Sequence, residues 1–122
     1  MKKIILNDSN ELTNFGVPYI VAEMNTSHFG KIENAKDMII AANEAGCDCV
    51  KFQSWTTTSL YSKTYYEQNP IAKRFVEGFS FSEVQLLELS KFCNKIGISF
   101  ASTPYSNQEV DFLVSECNIP FL

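Results

Sequence analysis

The chain has 122 residues, with 10 Lys+Arg against 14 Asp+Glu and a formal net charge of −4, a balance that argues against the basic stripe of a nucleic-acid binder. Hydrophobic residues make up 45% and charged residues 20%, with a mean hydropathy of −0.08. These values place the chain with globular domains and exclude disordered or fibrous classes. The longest apolar runs, Ile4-Ile5-Leu6 and Tyr19-Ile20-Val21-Ala22, fall far short of the roughly 20 residues that span a bilayer. Asn7 and Asp8 end the first run before a signal-peptide core of about 7–15 residues can form, so a cytoplasmic chain without a membrane segment is expected.

In chain order, Lys3 to Asn7 reads as a short strand that turns through Asp8-Ser9-Asn10 and returns near Glu11-Leu12 as a hairpin, a lid or plug ahead of the main fold. Residues 1–18 form this lead-in, and 19–122 the first part of a larger domain. Tyr19 to Glu23 is apolar until its closing carboxylate, as in a strand buried on both faces of a parallel sheet. After a polar loop, Ile32, Ala35, Met38, Ile39, Ala42 and Ala45 recur at helical spacing, with Gly46 as the stop. Cys47 to Phe52 is the second buried strand.

Ser54 to Ser80 scatters Trp55, Tyr61, Tyr65, Tyr66, Phe75 and Phe79 among polar residues without a strand period. It is expected to be a long functional loop, a lid or gate, containing one short helix begun by Asn69-Pro70 and ended by Gly78. Ser82 and Gln85 form a capping box, with Phe81 stapled onto Leu86, for a helix whose stripe is Leu86, Leu89, Cys93 and Ile96 and which Gly97 closes. Ile98 to Ser102 is a third strand. Ser106 and Glu109 then make a second capping box for a helix carrying Val110, Leu113, Val114 and Cys117.

Three strand-then-helix units predict an α/β fold with a parallel sheet and right-handed crossovers, either doubly wound or part of a (β/α)8 barrel of about 250 residues. The chain stops inside the apolar run Ile119-Pro120-Phe121-Leu122 and is expected to be a fragment of a longer protein. Cys47, Cys49, Cys93 and Cys117 fit neither C-x-x-C nor zinc spacing and read as reduced core residues, the first two on one face of a strand.

Ligands of parallel α/β folds sit at the carboxyl ends of the strands. Those ends carry Glu23, Asn25, Ser27 and His28, then Lys51 and Gln53, then Ser102, Thr103 and Ser106. A lysine in a buried strand needs a carboxylate, a phosphate or a lowered pKa, which makes Lys51 the most informative of them. Neither G-x-G-x-x-G nor a P-loop is present, so nucleotide binding has no support.

Three blocks, Tyr19-Ile20-Val21-Ala22-Glu23-Met24-Asn25-Thr26-Ser27-His28-Phe29-Gly30, Ala45-Gly46-Cys47-Asp48-Cys49-Val50-Lys51-Phe52-Gln53 and Phe100-Ala101-Ser102-Thr103-Pro104-Tyr105-Ser106, together resemble the sialic acid synthase family. The resemblance implies a partial TIM barrel from an enzyme that condenses phosphoenolpyruvate with an N-acetylated mannose-type sugar to a nine-carbon 2-keto acid. It implies Glu23 as the acid or base, Lys51 as a ligand of the phosphoenolpyruvate anion, and Gln53 and Thr103 as substrate contacts, with His28 and Ser102 counted beside them. It further implies a divalent metal, Mn or Mg, with its ligands beyond Leu122, together with an antifreeze-like domain also beyond that point and a homodimer, so the fragment alone would be inactive. Ser27 stands where the family has Asn, which leaves the sugar open and would suit a diacetamido sugar of the legionaminic or pseudaminic type. Two other readings are a Schiff-base aldolase with Lys51 as nucleophile and a non-catalytic module that pairs through an open sheet edge.

Overall fold

The computed structural model describes residues 2–122. The hairpin is present as β1 (Lys3–Ile5) and β2 (Glu11–Thr13), paired antiparallel. The main sheet is parallel, in the order β3 (Val21–Glu23), β4 (Cys49–Ser54), β5 (Ser99–Pro104). Helix α1 (Ile32–Glu44) crosses from β3 to β4, α5 (Glu83–Ile96) leads into β5, and α6 (Asn107–Glu116) follows it. No helix among the described residues is long and apolar enough to cross a membrane.

Helices α1, α5 and α6 lie on one face of the sheet, and that face is the core. Ala35 and Ile39 of α1, Val50 and Phe52 of β4, Leu86, Leu89 and Cys93 of α5, Phe100 of β5 and Leu113 of α6 form one buried cluster. Phe52, Ile39, Leu89 and Leu113 are its largest fully buried side chains, each contributing roughly 1.5–3 kcal/mol. Both sides of the Ser82–Gln85 capping box form, and Gly97 ends α5 at φ 86°. The opposite face is open. Edge strand β3 leaves Val21 and Glu23 exposed, so the strand is shorter than expected and is covered on one face only.

The hairpin plugs the amino-terminal edge of the sheet. Asp8 Oδ2 accepts hydrogen bonds from Tyr19 Oη at 2.6 Å and Ser99 Oγ at 2.7 Å, and Asn7 reaches the end of the chain, its N–H donating to Pro120 O and its Nδ2 to Ile119 O. Burial would raise the Asp8 pKa, but the hydrogen bonds from Tyr19, Ser99 and Asn10 outweigh it and hold the carboxyl below its ordinary value. Beside this plug, burial pushes the Cys49 thiol up to about 12. All the cysteines are free. Cys47 precedes β4 and packs against the helix-side core, so the two neighbouring cysteines do not share a strand face.

Residues 54–80 are mostly helical: α4 (Pro70–Phe79) is the expected short helix, while α2 (Thr57–Leu60) and α3 (Lys63–Gln68) stand where loop was expected. Helices of these lengths are too short to show a period in an 11–18 residue window; their starts are set by capping. Thr56 and Ser59 cap each other reciprocally, Ser62 accepts from the Tyr65 N–H, and Pro70 opens α4. Asn69 precedes α4, but its side chain donates back to Tyr65 O instead of capping. A small satellite core of Trp55, Tyr66 and Val76 holds the three together.

Two local features tie this segment to the sheet. Gly30, at φ 70°, sits where a Cβ would run into the carbonyl of Gly78, so the β3–α1 loop lies flush against the last turn of α4. His28 is 2% exposed, stacked on Phe81 with ring centroids 4.2 Å apart and 5.9 Å from Phe52. Its Nδ1 accepts the Gly30 N–H at 3.0 Å. Burial lowers its pKa below the ordinary 6.5, with the Asn25 backbone opposing.

Gly30→Ala is expected to lower the urea midpoint more than Gly46→Ala. Both residues have positive φ, but Gly46 faces open space, so it bears only the left-handed penalty of about 1–2 kcal/mol, while Gly30 adds a collision typically costing about 1–3 kcal/mol. For His28, the folded state favours the neutral ring, so its contribution is fully present above pH 6.5 and is lost as pH falls towards the lowered folded value. Stability should drop by up to about 1.4 kcal/mol per pH unit in that window. Denaturation of wild type and His28→Leu at several pH values checks this, with a flatter profile expected for the variant.

Candidate active site at the strand ends

The parallel registers decide which polar side chains meet. Glu23 stands beside Lys51 in the β3–β4 ladder, and Gln53 beside Thr103 in the β4–β5 ladder. Residues two apart on a strand share a face, so Glu23, Lys51, Gln53 and Thr103 all lie on the face away from the helices. Lys51 Nζ is 3.0 Å from Glu23 Oε2, with the side chains 33% and 43% exposed. A pair this exposed contributes little to stability, about 0–1 kcal/mol. Its significance is chemical: an ammonium and a carboxylate stand side by side at the carboxyl end of a sheet, open to a ligand.

Two of the sequence candidates lie off this face. Ser102 is one position out of phase with Thr103, is 3% exposed, and shares a 2.5 Å hydrogen bond with Ser54 Oγ behind the sheet. His28 is turned into the helix-side core between Phe81 and Phe52. Neither reaches the crevice, because a position at a strand end does not by itself fix the side to which the side chain points. Ser106 caps α6.

Other residues build the wall. A cavity of about 260 Å³ opens beside Gln53, bounded by Thr26, Tyr61, Phe75, Phe79 and Tyr105. A larger hollow of about 550 Å³ runs along α2, α3 and α4, but no strand-end residue lines it. Glu109, 8% exposed, clamps the wall: Oε1 accepts from Ser59 Oγ of α2 and Oε2 from the Tyr105 N–H after β5, each at 2.6 Å. The expected Ser106–Glu109 capping box is therefore only half made. Ser106 Oγ accepts the Glu109 N–H, while the Glu109 carboxylate is used for long-range closure. Among the described residues no three His, Cys, Asp or Glu side chains converge on a metal-sized site.

Comparison with known proteins identifies the family. Residues 38–122 match the NeuB family. The chain is 34% identical over 106 residues to the N,N'-diacetyllegionaminic acid synthase of Legionella pneumophila, covering 80% of this chain and 30% of that protein. It is 36% identical over 118 residues to the N-acetylneuraminate-9-phosphate synthase of Mus musculus, covering 84% and 31%. It thus spans about a third of the length of the curated relatives it matches. The crystal structure of the sialic acid synthetase of Leptospira borgpetersenii, in complex with citrate, superposes with a TM-score of 0.82 at 24% identity over 97% of this chain and 39% of that one. That likeness shows the fold to be the corresponding part of a synthase barrel, without closure of the barrel in these residues. Polar residues on one face of a βαβ sheet, the three sequence blocks that carry them and the family match agree: this chain belongs to the NeuB family.

Proposed function

We propose that this chain supplies the phosphoenolpyruvate-binding part of a synthase that joins phosphoenolpyruvate to an N-acylated mannose-type sugar. The observation that carries this reading is the Glu23–Lys51 pair, in register at adjacent strand ends. Phosphoenolpyruvate is a multiply charged anion, and a fixed ammonium on a strand orients it without needing a loop to close. In the reaction, the methylene carbon of phosphoenolpyruvate attacks the sugar aldehyde and forms the new C–C bond. Water adds to the second carbon of the enol phosphate, and the resulting centre expels inorganic phosphate to leave the 2-keto acid. In this reading Glu23 takes the proton from that water, and Gln53 and Thr103 hydrogen-bond the sugar.

The pairing also argues against the aldolase alternative. A nucleophilic lysine is commonly freed as the neutral amine by an enclosed apolar site or a second cation, whereas Lys51 stands beside Glu23 at 3.0 Å with its side chain 33% exposed. The described residues offer no ligand set for the divalent metal that the family resemblance implies, whose ligands that resemblance sets beyond Leu122.

Lys51→Ala in the polypeptide expressed from the native gene is expected to weaken phosphoenolpyruvate binding by about 10- to 150-fold, the equivalent of a charge-assisted hydrogen bond; unchanged affinity, by calorimetry, would remove Lys51 from the anion site. Glu23→Gln should lower kcat by about 10²- to 10⁴-fold with much less effect on phosphoenolpyruvate affinity. Borohydride treatment in the presence of pyruvate is expected to leave Lys51 unmodified, and a covalent adduct there, seen by mass spectrometry, would favour the aldolase.

A further inference from the structure

The loop that carries the chain from β3 to α1 begins immediately after Glu23. The Met24 N–H still donates to Lys51 O at 2.8 Å, extending the β3–β4 ladder by one bond, and the chain then turns. Asn25 and Phe29 take positive φ, 46° and 53°. Asn tolerates that conformation, whereas a bulky side chain such as Phe is strained in it and persists there only where the surroundings over-determine the backbone. At Asn25 the turn has a chemical result. Its N–H donates to Glu23 Oε1 in a long hydrogen bond of 3.4 Å, while Glu23 Oε2 lies 3.0 Å from Lys51 Nζ. One oxygen of the carboxylate is thus held by the loop and the other by the ammonium.

His28 supplies the constraint. Its ring stacks on Phe81 at 4.2 Å and lies 5.9 Å from Phe52, the residue between Lys51 and Gln53 on β4. Its Nδ1 accepts the Gly30 N–H at 3.0 Å, so the ring is neutral and carries its proton on Nε2. The His28 carbonyl accepts the Lys31 N–H at 3.0 Å and Asn34 Nδ2 at 3.2 Å, which ties the same residue to the start of α1. The Asn25 backbone lies close enough to the ring to oppose the effect of burial on it. Bonds from the Ser27 N–H to Met24 O and from the Phe29 N–H to Thr26 O close local turns, and the His28 ring fastens those turns to the packed core.

We propose that His28 is a positioning residue for Glu23: its ring, stacked against Phe81, holds residues 25–30 in the conformation that turns the Asn25 N–H onto Glu23 Oε1, and so keeps the carboxylate set against Lys51. The proposal rests on the reading of Glu23 as the group that takes the proton, and adds to it a buried side chain out of reach of the substrate. Without the ring's bond to the Gly30 N–H, the left-handed residues lose their support and the Asn25 N–H leaves the carboxylate. Glu23, whose side chain is 43% exposed, is then free to turn among rotamers. A misplacement of about 1 Å in such a group costs about 10²-fold in rate, while the Lys51 ammonium, carried by a strand packed on its other face, keeps its place.

The test uses the polypeptide expressed from its native gene, with manganese or magnesium present, and follows phosphate release from phosphoenolpyruvate with N-acetylmannosamine and with 2,4-diacetamido-2,4,6-trideoxymannose. Calorimetry measures phosphoenolpyruvate affinity separately. His28→Asn can put an amide oxygen where Nδ1 accepts the Gly30 N–H, whereas in His28→Gln the amide lies beyond that place, towards Nε2. The expected result is a kcat about 10- to 100-fold lower in His28→Leu and His28→Gln and within about 3-fold of wild type in His28→Asn, with phosphoenolpyruvate affinity within about 3-fold of wild type throughout. Undiminished kcat in His28→Leu and His28→Gln, equal losses in His28→Asn and His28→Gln, or affinity lost in step with kcat overturns the positioning role, while phosphate release by the wild-type protein upholds the condensation. Should His28→Leu fail to fold, the comparison of the two amides decides. No release by the wild-type protein with either sugar overturns the condensation reading and this role with it.

Discussion

Successive side chains of β4 point to opposite sides of the sheet, and the rest of the structure depends on that alternation. Val50 and Phe52 go to the helices and are fully buried, while Lys51 and Gln53 go to the open face and remain half-buried. A slip of one residue in the β3–β4 or β4–β5 ladder would turn Lys51 into the core and Phe52 into water. Burying an unpaired ammonium costs several kcal/mol, and exposing Phe52 forfeits its stacking on Phe100, 5.7 Å away. The core therefore fixes the register, and the register places Glu23 against Lys51. Stability and chemistry are separated onto two faces of one strand and cannot be altered independently.

The floor and the wall of the crevice rest on different kinds of support. The floor stands on strands whose backbone bonds are shared with neighbours and whose other face is packed. The wall stands on α2 and α4, helices of four and ten residues that are too short to persist in water by themselves. What keeps them in place is side-chain capping, the small core around Trp55, the Glu109 clamp and the contact of Gly30 with Gly78. Such elements belong to the least stable part of a fold, so motion in the crevice is expected to concentrate in its wall while the ion pair keeps its geometry.

Much of the fold was legible because its signals are local. The hairpin, α1, α5 with its capping box and Gly97, and the order strand–helix–strand follow from periodicity and caps within single segments. That Glu23, Lys51, Gln53 and Thr103 share one face was legible too, since residues two apart on a strand share a face once a parallel sheet is assumed. The misplaced residues share a physical reason. His28 lies in an irregular loop, where no period states its direction, and Ser102 was judged by its place along the strand and not by its phase across it. Short helices were hidden in 54–80 because fewer than two turns display no stripe. Glu109 satisfied a local capping pattern in the sequence, and only the approach of Ser59, 50 residues away, shows that its carboxylate is used elsewhere.

The hairpin at the amino-terminal edge has a consequence for how the chain is made. Its anchors lie far away in sequence: Asp8 holds Ser99 across 91 residues, and Asn7 holds Ile119 across 112. Closing loops of that size is entropically costly and slow compared with forming a helix. On the ribosome, β1 and β2 emerge ahead of β5 and residues 119–120, and until those follow only the Tyr19 hydroxyl is near enough in sequence to hold Asp8. During that interval the hairpin carries Ile4, Ile5 and Phe15 in water, and they remain largely exposed even afterwards. Residues 3–13 are thus made before the elements that secure them, and the plug records that the sheet above it has already formed.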